Sequence, residues 1–288
     1  MNILQDVNLA KYTTFKIGGD AKYFVKVNDL KELRMAITFA KDRAIEYFVL
    51  GGGSNLLVSD QGYQGLVIKL DGEFKTVYIN KAEQVMEAGA GMMLPQCVRE
   101  CIKYNIAGFE FFGVIPGTVG AAVRINAGTK LGSIADHLLY CDILSNGEII
   151  RLNHEDLQFG YRSSAIIGGN AIILKAYFKY ENFKEKNLLV QEVKEYRVER
   201  KSRQPKNRKC CGSVFKSHID RPAGFFIEQC DLKGTQIGGA MISKEHANWI
   251  VNQDYASAQD VLDLIDLMQT EVKQKFNIDL ELEMEYLD

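Results

Sequence analysis

No apolar run in the 288 residues approaches the ~20 needed to cross a bilayer, which excludes a membrane-spanning role. An excess of either charge is missing too. The 35 basic and 37 acidic residues leave a net −2, which excludes wholesale binding of nucleic acid. The first residues, MNILQDVNLAKYTTF, have no basic start followed by an apolar block and no cleavage site. With no export signal visible, the cytoplasm is the expected compartment and the six cysteines should be reduced. Cys97 and Cys101 are four apart and Cys210 and Cys211 adjacent; neither spacing is a zinc ribbon, and no histidine pair completes a site. Inert or core thiols and no metal are expected. There is no internal repeat and no low-complexity tract.

What is present is an ordinary globular balance, 47% hydrophobic and 25% charged, with length for roughly two domains. TTFKIGGDAKYFVKV reads as a turn into a strand. Asn28 or Asp29 then caps a helix with Leu30, Leu33, Ile37 and Ala40 on one face. Short strands are expected at Tyr47–Leu50, Leu66–Leu70 and Gln84–Ala88, a helix at Leu94–Tyr104, and strands near Leu138–Leu144 and Ala171–Tyr180. Glu181–Lys209 is charged and almost free of glycine, and reads as helix plus linker at a domain boundary. Beyond it, Ser257 leads a helix with Val261, Ile265, Met268 and Val272 at helical spacing. Ile278–Tyr286 alternates apolar and acidic residues, the pattern of a half-buried strand.

Two glycine-rich loops stand out. Tyr47–Leu50 feeds Gly51-Gly52-Gly53-Ser54-Asn55, whose backbone N–H groups no Cβ screens, as close approach of a phosphate requires. The same residues also suit a tight turn with a polar tip. The second loop, Gly113-Val114-Ile115-Pro116-Gly117-Thr118-Val119-Gly120, reads as the small-residue opening of a helix. That is either an anion site or a close packing contact. Neither loop is a P-loop or a GxGxxG fingerprint. Two such loops about sixty residues apart would suit one diphosphate held from both sides.

LGGGSNLLVSD, followed downstream by GFEFFGVIPGTVGAAVRINAG, resembles the UDP-N-acetylenolpyruvoylglucosamine reductases of peptidoglycan synthesis. The likeness continues in one order through TTFKIGG, GYRSS, RQP, CGSVFK, FIEQCDLKG, IGGAMISKEHANWIVN and ASAQDV, over nearly the whole chain. The short stretch between the YR motif and the serine resembles the subtype without a tyrosine-bearing insertion. The resemblance implies an α+β fold: a two-part FAD-binding domain of the vanillyl-alcohol-oxidase (PCMH) type and a smaller α/β C-terminal domain for the substrate. The expected domains are 1–182, with lobes of about 1–72 and 73–182, then a linker at 183–204 and the UDP-sugar domain at 205–288. It further implies non-covalent FAD, NADPH as co-substrate and UDP-N-acetylglucosamine enolpyruvate as substrate, in a monomer or weak homo-oligomer with no nucleic-acid or membrane partner. Cofactor contacts would come from Gly51, Gly52, Gly53, Ser54, Asn55, Gly113, Pro116, Gly117, Thr118, Gly120 and Asn126. The sequence departs from the family at Arg124 and Thr129–Leu131, and again at Ser217-His218.

An enol ether accepts hydride poorly unless its conjugated carboxylate draws off negative charge, so cationic or proton-donating groups are needed there, with a proton donor for the adjacent carbon. Arg162, in Gly160-Tyr161-Arg162-Ser163-Ser164, matches the family arginine at that carboxylate; on its own it reads as a surface charge. Ser213 matches the family's proton donor, against the plain reading of a turn serine. Glu283 matches the acidic active-site residue, although it is one of four acids on the same segment, with Asp279, Glu281 and Glu285. Arg200 and Lys216 are candidates for phosphates of the nucleotide ligands, and Cys211 has no covalent step to perform. The competing readings are an FAD-dependent carbohydrate or alcohol oxidase of the same fold and a catalytically silent flavin-binding regulator. The missing covalent-flavin histidine counts against the first, and Arg162, Ser213 and Glu283 together count against the second.

Overall fold

A computed structural model describes residues 1–205 and 209–288; Lys206, Asn207 and Arg208, part of the basic stretch read as linker, lie outside the described residues. The chain divides into two compact units. The first comprises Met1–Ile3, Val25–Gly52 and Val67–Arg200, the second Leu4–Phe24, Gly53–Leu66 and Lys201–Asp288. Among the described residues no helix is long and apolar enough to cross a membrane.

In the first unit, Asp29 caps helix α1 (Leu30–Asp42) by accepting the Glu32 N–H at 2.7 Å, and Leu33, Ala36 and Ala40 fill its buried face at helical spacing. Its main sheet is antiparallel throughout. The lateral order is Glu148–Asn153, Leu138–Ser145, Ile172–Lys179, Val85–Gly89, Val77–Asn80. One face carries helix α2 (Leu94–Lys103), which buries Leu94, Cys97, Val98 and Cys101, and the short helix α3 (Val119–Arg124). Phe109, Phe112 and Phe178 meet edge to face at 5.4–6.2 Å beneath them, the arrangement that the ring quadrupole favours. The cysteines of this core are unreactive: burial pushes the Cys97 thiol up to about 12. Helix α4 (Lys186–Arg203) buries only Leu189 and Val193, in keeping with its charged sequence.

The second unit folds around a three-stranded antiparallel sheet of Gln236–Ile237, Ala240–Ile242 and Ile250–Asn252, packed by helices α5 (Ala223–Gln229) and α6 (Ala258–Phe276). Ser257 and Asp260 form a capping box at the start of α6. Val261, Ile265, Met268 and Val272 are all buried, each contributing about 1.5–3 kcal/mol of apolar burial. Phe15, Leu57, Val214 and Phe215 join this core. The expected strand over Ile278–Tyr286 is not continuous. Leu282 makes an isolated bridge to Phe215, and only Glu285–Leu287 forms a strand, parallel to Leu56–Val58. The ladder stops there because its next partners are taken: the Val214 N–H donates to Asn248 O at 2.9 Å and the Asn55 amide donates to Glu283 O at 2.8 Å.

Candidate active site

Within the first unit the structure brings the two glycine-rich loops into contact. The Leu50 N–H donates to Ile68 O at 2.9 Å, and from there the chain turns through Gly51 and Gly52. A Cβ on Gly51 would stand 2.9 Å from both Ala121 Cβ and Thr118 Oγ1, and one on Gly52 would stand 3.0 Å from Gly117 Cα. Glycine is required here by close approach. Among the described residues, the N–H groups of Gly51, Gly52 and Gly53 have no acceptor within the chain. Backbone donors left in this state fit an anionic ligand from outside.

The second loop is used differently along its length. The N–H groups of Val119 and Gly120 donate to Met92 O at 2.8 Å and Ala90 O at 2.9 Å, so the packing reading holds at that end. A Cβ on Gly120 would meet Ala90 Cβ at 2.9 Å. Gly113 lies in the 3-10 turn Glu110–Val114 against Val193, and Arg197 donates to its carbonyl at 3.3 Å.

Elsewhere in the first unit, Tyr161-Arg162 forms the tip of a hairpin closed by Gly160 N–H to Ser163 O at 3.1 Å and Ser163 N–H to Gly160 O at 3.3 Å. Arg162 holds φ +54°, a left-handed conformation that costs a non-glycine residue of order 1–3 kcal/mol and clusters at functional sites. Its guanidinium donates to Gly128 O at 2.9 Å and lies 5.2 Å from the Tyr161 ring. Asn126 braces this hairpin. Its amide donates to Gly160 O at 2.9 Å, and its side-chain oxygen accepts the Ala135 N–H at 3.0 Å. Arg200 lies close enough to be repelled by Arg162. Burial first and that like charge second lower its guanidinium pKa. Two neighbouring guanidiniums, that of Arg200 half-buried, suit an anion. Of the departures from the family, the Arg124 carbonyl receives the Ser164 hydroxyl, Thr129 and Gly132 pair in a short hairpin, and Lys130 at its tip is ion-paired with Glu199.

In the second unit, residues 214–216 lie antiparallel to 281–283. Glu283 N–H donates to Val214 O and Lys216 N–H to Glu281 O, each at 2.8 Å. Ser213 stands at the head of this pairing, half-buried, and among the described residues nothing hydrogen-bonds its hydroxyl. Of the four acids on the C-terminal segment only Glu283 is half-buried; Asp279, Glu281 and Glu285 are exposed. Lys216 is ion-paired with Glu281. The Asn55 amide donates to Glu283 O at 2.8 Å and its carbonyl accepts the Glu285 N–H at 3.0 Å, so Asn55 fixes the C-terminal segment. Cys211 is buried with Sγ 3.5 Å from Met284 Sδ, and burial raises its thiol pKa far above the range of a nucleophile.

Sequence reasoning missed Asn248, whose side chain clasps both backbone groups of Phe215, accepting its N–H at 3.0 Å and donating to its carbonyl at 2.8 Å. The Asn248 carbonyl also takes the Val214 N–H at 2.9 Å, so the backbone beside Ser213 is held from both sides. Only its place in the quoted HANWIVN stretch could have drawn attention to it.

Comparison with known proteins agrees along the whole length. A family model for the C-terminal domain of UDP-N-acetylenolpyruvoylglucosamine reductase matches residues 204–287, and one for an FAD binding domain matches 21–153. The chain is 39% identical over 280 residues to the UDP-N-acetylenolpyruvoylglucosamine reductase of Desulforamulus reducens, covering 97% of this chain and 91% of that one. It is 39% identical over 293 residues to that of Caldicellulosiruptor bescii, covering 100% and 91%. The crystal structure of the corresponding reductase from Thermus caldophilus superposes with a TM-score of 0.83 at 36% identity, covering 100% of this chain and 98% of that one.

Proposed function

The chain belongs to the family of UDP-N-acetylenolpyruvoylglucosamine reductases, and from that membership we propose how its residues divide the work of an FAD-dependent, NADPH-consuming UDP-N-acetylmuramate dehydrogenase. The substrate is UDP-N-acetylglucosamine enolpyruvate, and the product UDP-N-acetylmuramate serves peptidoglycan precursor synthesis. The fold is α+β, an FAD-binding domain of the vanillyl-alcohol-oxidase type followed by a separate C-terminal domain. We assign the cofactor to 1–182 and the UDP-sugar to 205–288, and place the enzyme in the cytoplasm as a monomer or weak homo-oligomer.

The first loop fits FAD, because the N–H groups of Gly51, Gly52 and Gly53, unpaired among the described residues, suit its diphosphate and the approach of Gly52 to Gly117 leaves no side chain in the way. When bound, FAD supplies the redox step, taking hydride from NADPH and passing it to one carbon of the enolpyruvyl double bond. The chain's own residues bind, orient and move the proton. Arg162, in its strained turn, offers a planar fork to the substrate carboxylate. Ser213 Oγ gives a proton to the neighbouring carbon, and Glu283 helps to polarise the carboxylate. Arg200 and Lys216 take phosphates of the nucleotide ligands; for Lys216 this means exchanging its partner Glu281.

Within the structure, the observation that carries these roles is the pairing of 214–216 with 281–283. It sets Ser213 at the head of a fixed segment and makes Glu283 the half-buried acid beside it. The test is NADPH oxidation by the yellow purified protein. Consumption that depends on the enolpyruvyl sugar supports the reading. A colourless protein, or NADPH oxidation indifferent to the sugar, would overturn it.

A further inference from the structure

Lys69 takes no part in the chemistry above, yet it reaches the first glycine loop. The Leu50 N–H is bonded to Ile68 O, and the side chain of the neighbouring Lys69 reaches the next peptide, its Nζ donating to Gly51 O at 2.7 Å. A trans peptide is planar, with its carbonyl and its N–H on opposite sides. Holding the Gly51 carbonyl on the Lys69 side therefore turns the Gly52 N–H the other way, where it has no acceptor among the described residues. The same lysine brings positive charge under the loop. Burial lowers its pKa, the ammoniums of Lys75 and Lys26 lower it further, and Asp71, which pairs with Lys75 at 2.8 Å, opposes them. Three ammoniums and one carboxylate leave this side of the loop net positive.

We propose that Lys69 is a positioning residue for the cofactor diphosphate. It locks the Gly51–Gly52 peptide with the Gly52 N–H presented to a phosphate oxygen, and its charge sets how tightly that anion is held. The proposal rests on the assignment of FAD to this loop. It separates the two parts of the cofactor, because only a flavin that carries phosphate should sense Lys69.

The experiment compares wild-type, Lys69→Met and Lys69→Arg proteins, full-length and purified with their flavin. FAD release is followed by flavin fluorescence. The flavin-stripped proteins are then titrated with FAD and with riboflavin from about pH 6 to about pH 10, a range that spans a lysine whose pKa is depressed. Lys69→Met should hold FAD at least ~10-fold more weakly with riboflavin affinity unchanged, and Lys69→Arg should recover most of the loss. Wild-type affinity for FAD should fall as the pH rises through the lowered pKa of Lys69, and the Met variant should lose that dependence. Equal FAD affinity in wild-type and Met proteins would overturn the proposal, as would a parallel loss of FAD and riboflavin. If Lys69→Met fails to fold, the wild-type profile decides: an alkaline loss confined to FAD supports the proposal, and one shared with riboflavin overturns it. A wild-type protein that takes up no flavin at all would instead overturn the assignment of FAD.

Discussion

Gly52 and Gly117 pass so close that a methyl group on Gly52 would stand 3.0 Å from Gly117 Cα. The contact is with backbone, which cannot swing aside as a side chain would. A larger residue at Gly52 must therefore spread the two loops, at about 1–3 kcal/mol by analogy with overpacked cores. The spreading also disturbs the Gly51–Gly53 N–H groups, unpaired among the described residues, to which the diphosphate is assigned in the proposal above.

Gly52→Val should accordingly yield folded protein without flavin. Far-UV circular dichroism should match the parent, and the flavin absorbance of the purified variant should be absent. Full flavin content in this variant would place the diphosphate elsewhere.

Arg162→Lys keeps the charge and gives up the fork. Lysine can still reach toward Gly128 O, so the hairpin should survive, but a single ammonium cannot grip two carboxylate oxygens in one plane. Turnover of the enolpyruvyl sugar should drop by about 100-fold, while flavin reduction by NADPH stays within a few-fold of the parent. Rapid-mixing absorbance measures the two steps separately. An equal fall in both would make Arg162 a structural or nicotinamide-site residue.

Asp260 links the start of α6 to pH. Burial pushes its carboxyl up, but the N–H of Gly239 and the reciprocal bonds with Ser257 outweigh that and hold its pKa below the usual carboxylate value. A depressed folded-state pKa gives stability that is present above the unfolded value and lost as the pH falls through the folded one. Asp260→Asn should cost about 1 kcal/mol at neutral pH, the scale of a helix cap, and the gap from the parent should close in acid. Urea melts at neutral and acid pH check this; a gap that widens in acid would contradict it.

Sequence reading worked where local rules decide the outcome. Helices α1 and α6 announce themselves by Asn28 or Asp29, of which Asp29 is the cap, by Ser257, and by apolar residues at helical spacing, because capping and amphipathicity act within a few residues. The strand Glu148–Asn153 carried no such signal: it lies at the sheet edge with both faces largely exposed, so its side chains do not alternate. The C-terminal segment does alternate, yet its pairing ends where Asn248 takes the Val214 N–H and Asn55 the Glu283 carbonyl, which no pattern within the segment could reveal. Asn248 and Lys69 escaped for the same reason. Each acts on backbone groups distant in sequence, Asn248 on Phe215 and Lys69 on Gly51. Of the two loops, composition alone could not show that Val119 and Gly120 had already spent their N–H groups on the neighbouring strand end.

Ser213 provides the most specific test of the proposed chemistry. Once hydride has reached one carbon of the double bond, the neighbouring carbon is basic enough to take a proton even from a weakly acidic hydroxyl, provided the hydroxyl is held in place. Asn248 and Glu283 hold the backbone of Val214 and Phe215, and neither bonds the Ser213 hydroxyl, so Ser213→Ala removes the proton source without loosening its support. The variant should bind FAD, be reduced by NADPH at a near-normal rate, and then reoxidise with the enolpyruvyl sugar at least ~100-fold more slowly, a typical loss for a missing general acid. Cys211→Ala is the control. Its thiol is buried against Met284 and kept protonated, so most turnover should remain. Stopped-flow absorbance of the flavin separates the two phases. Reoxidation of Ser213→Ala at the parent rate would remove Ser213 from the proton step and leave the half-buried Glu283 as the next group to test.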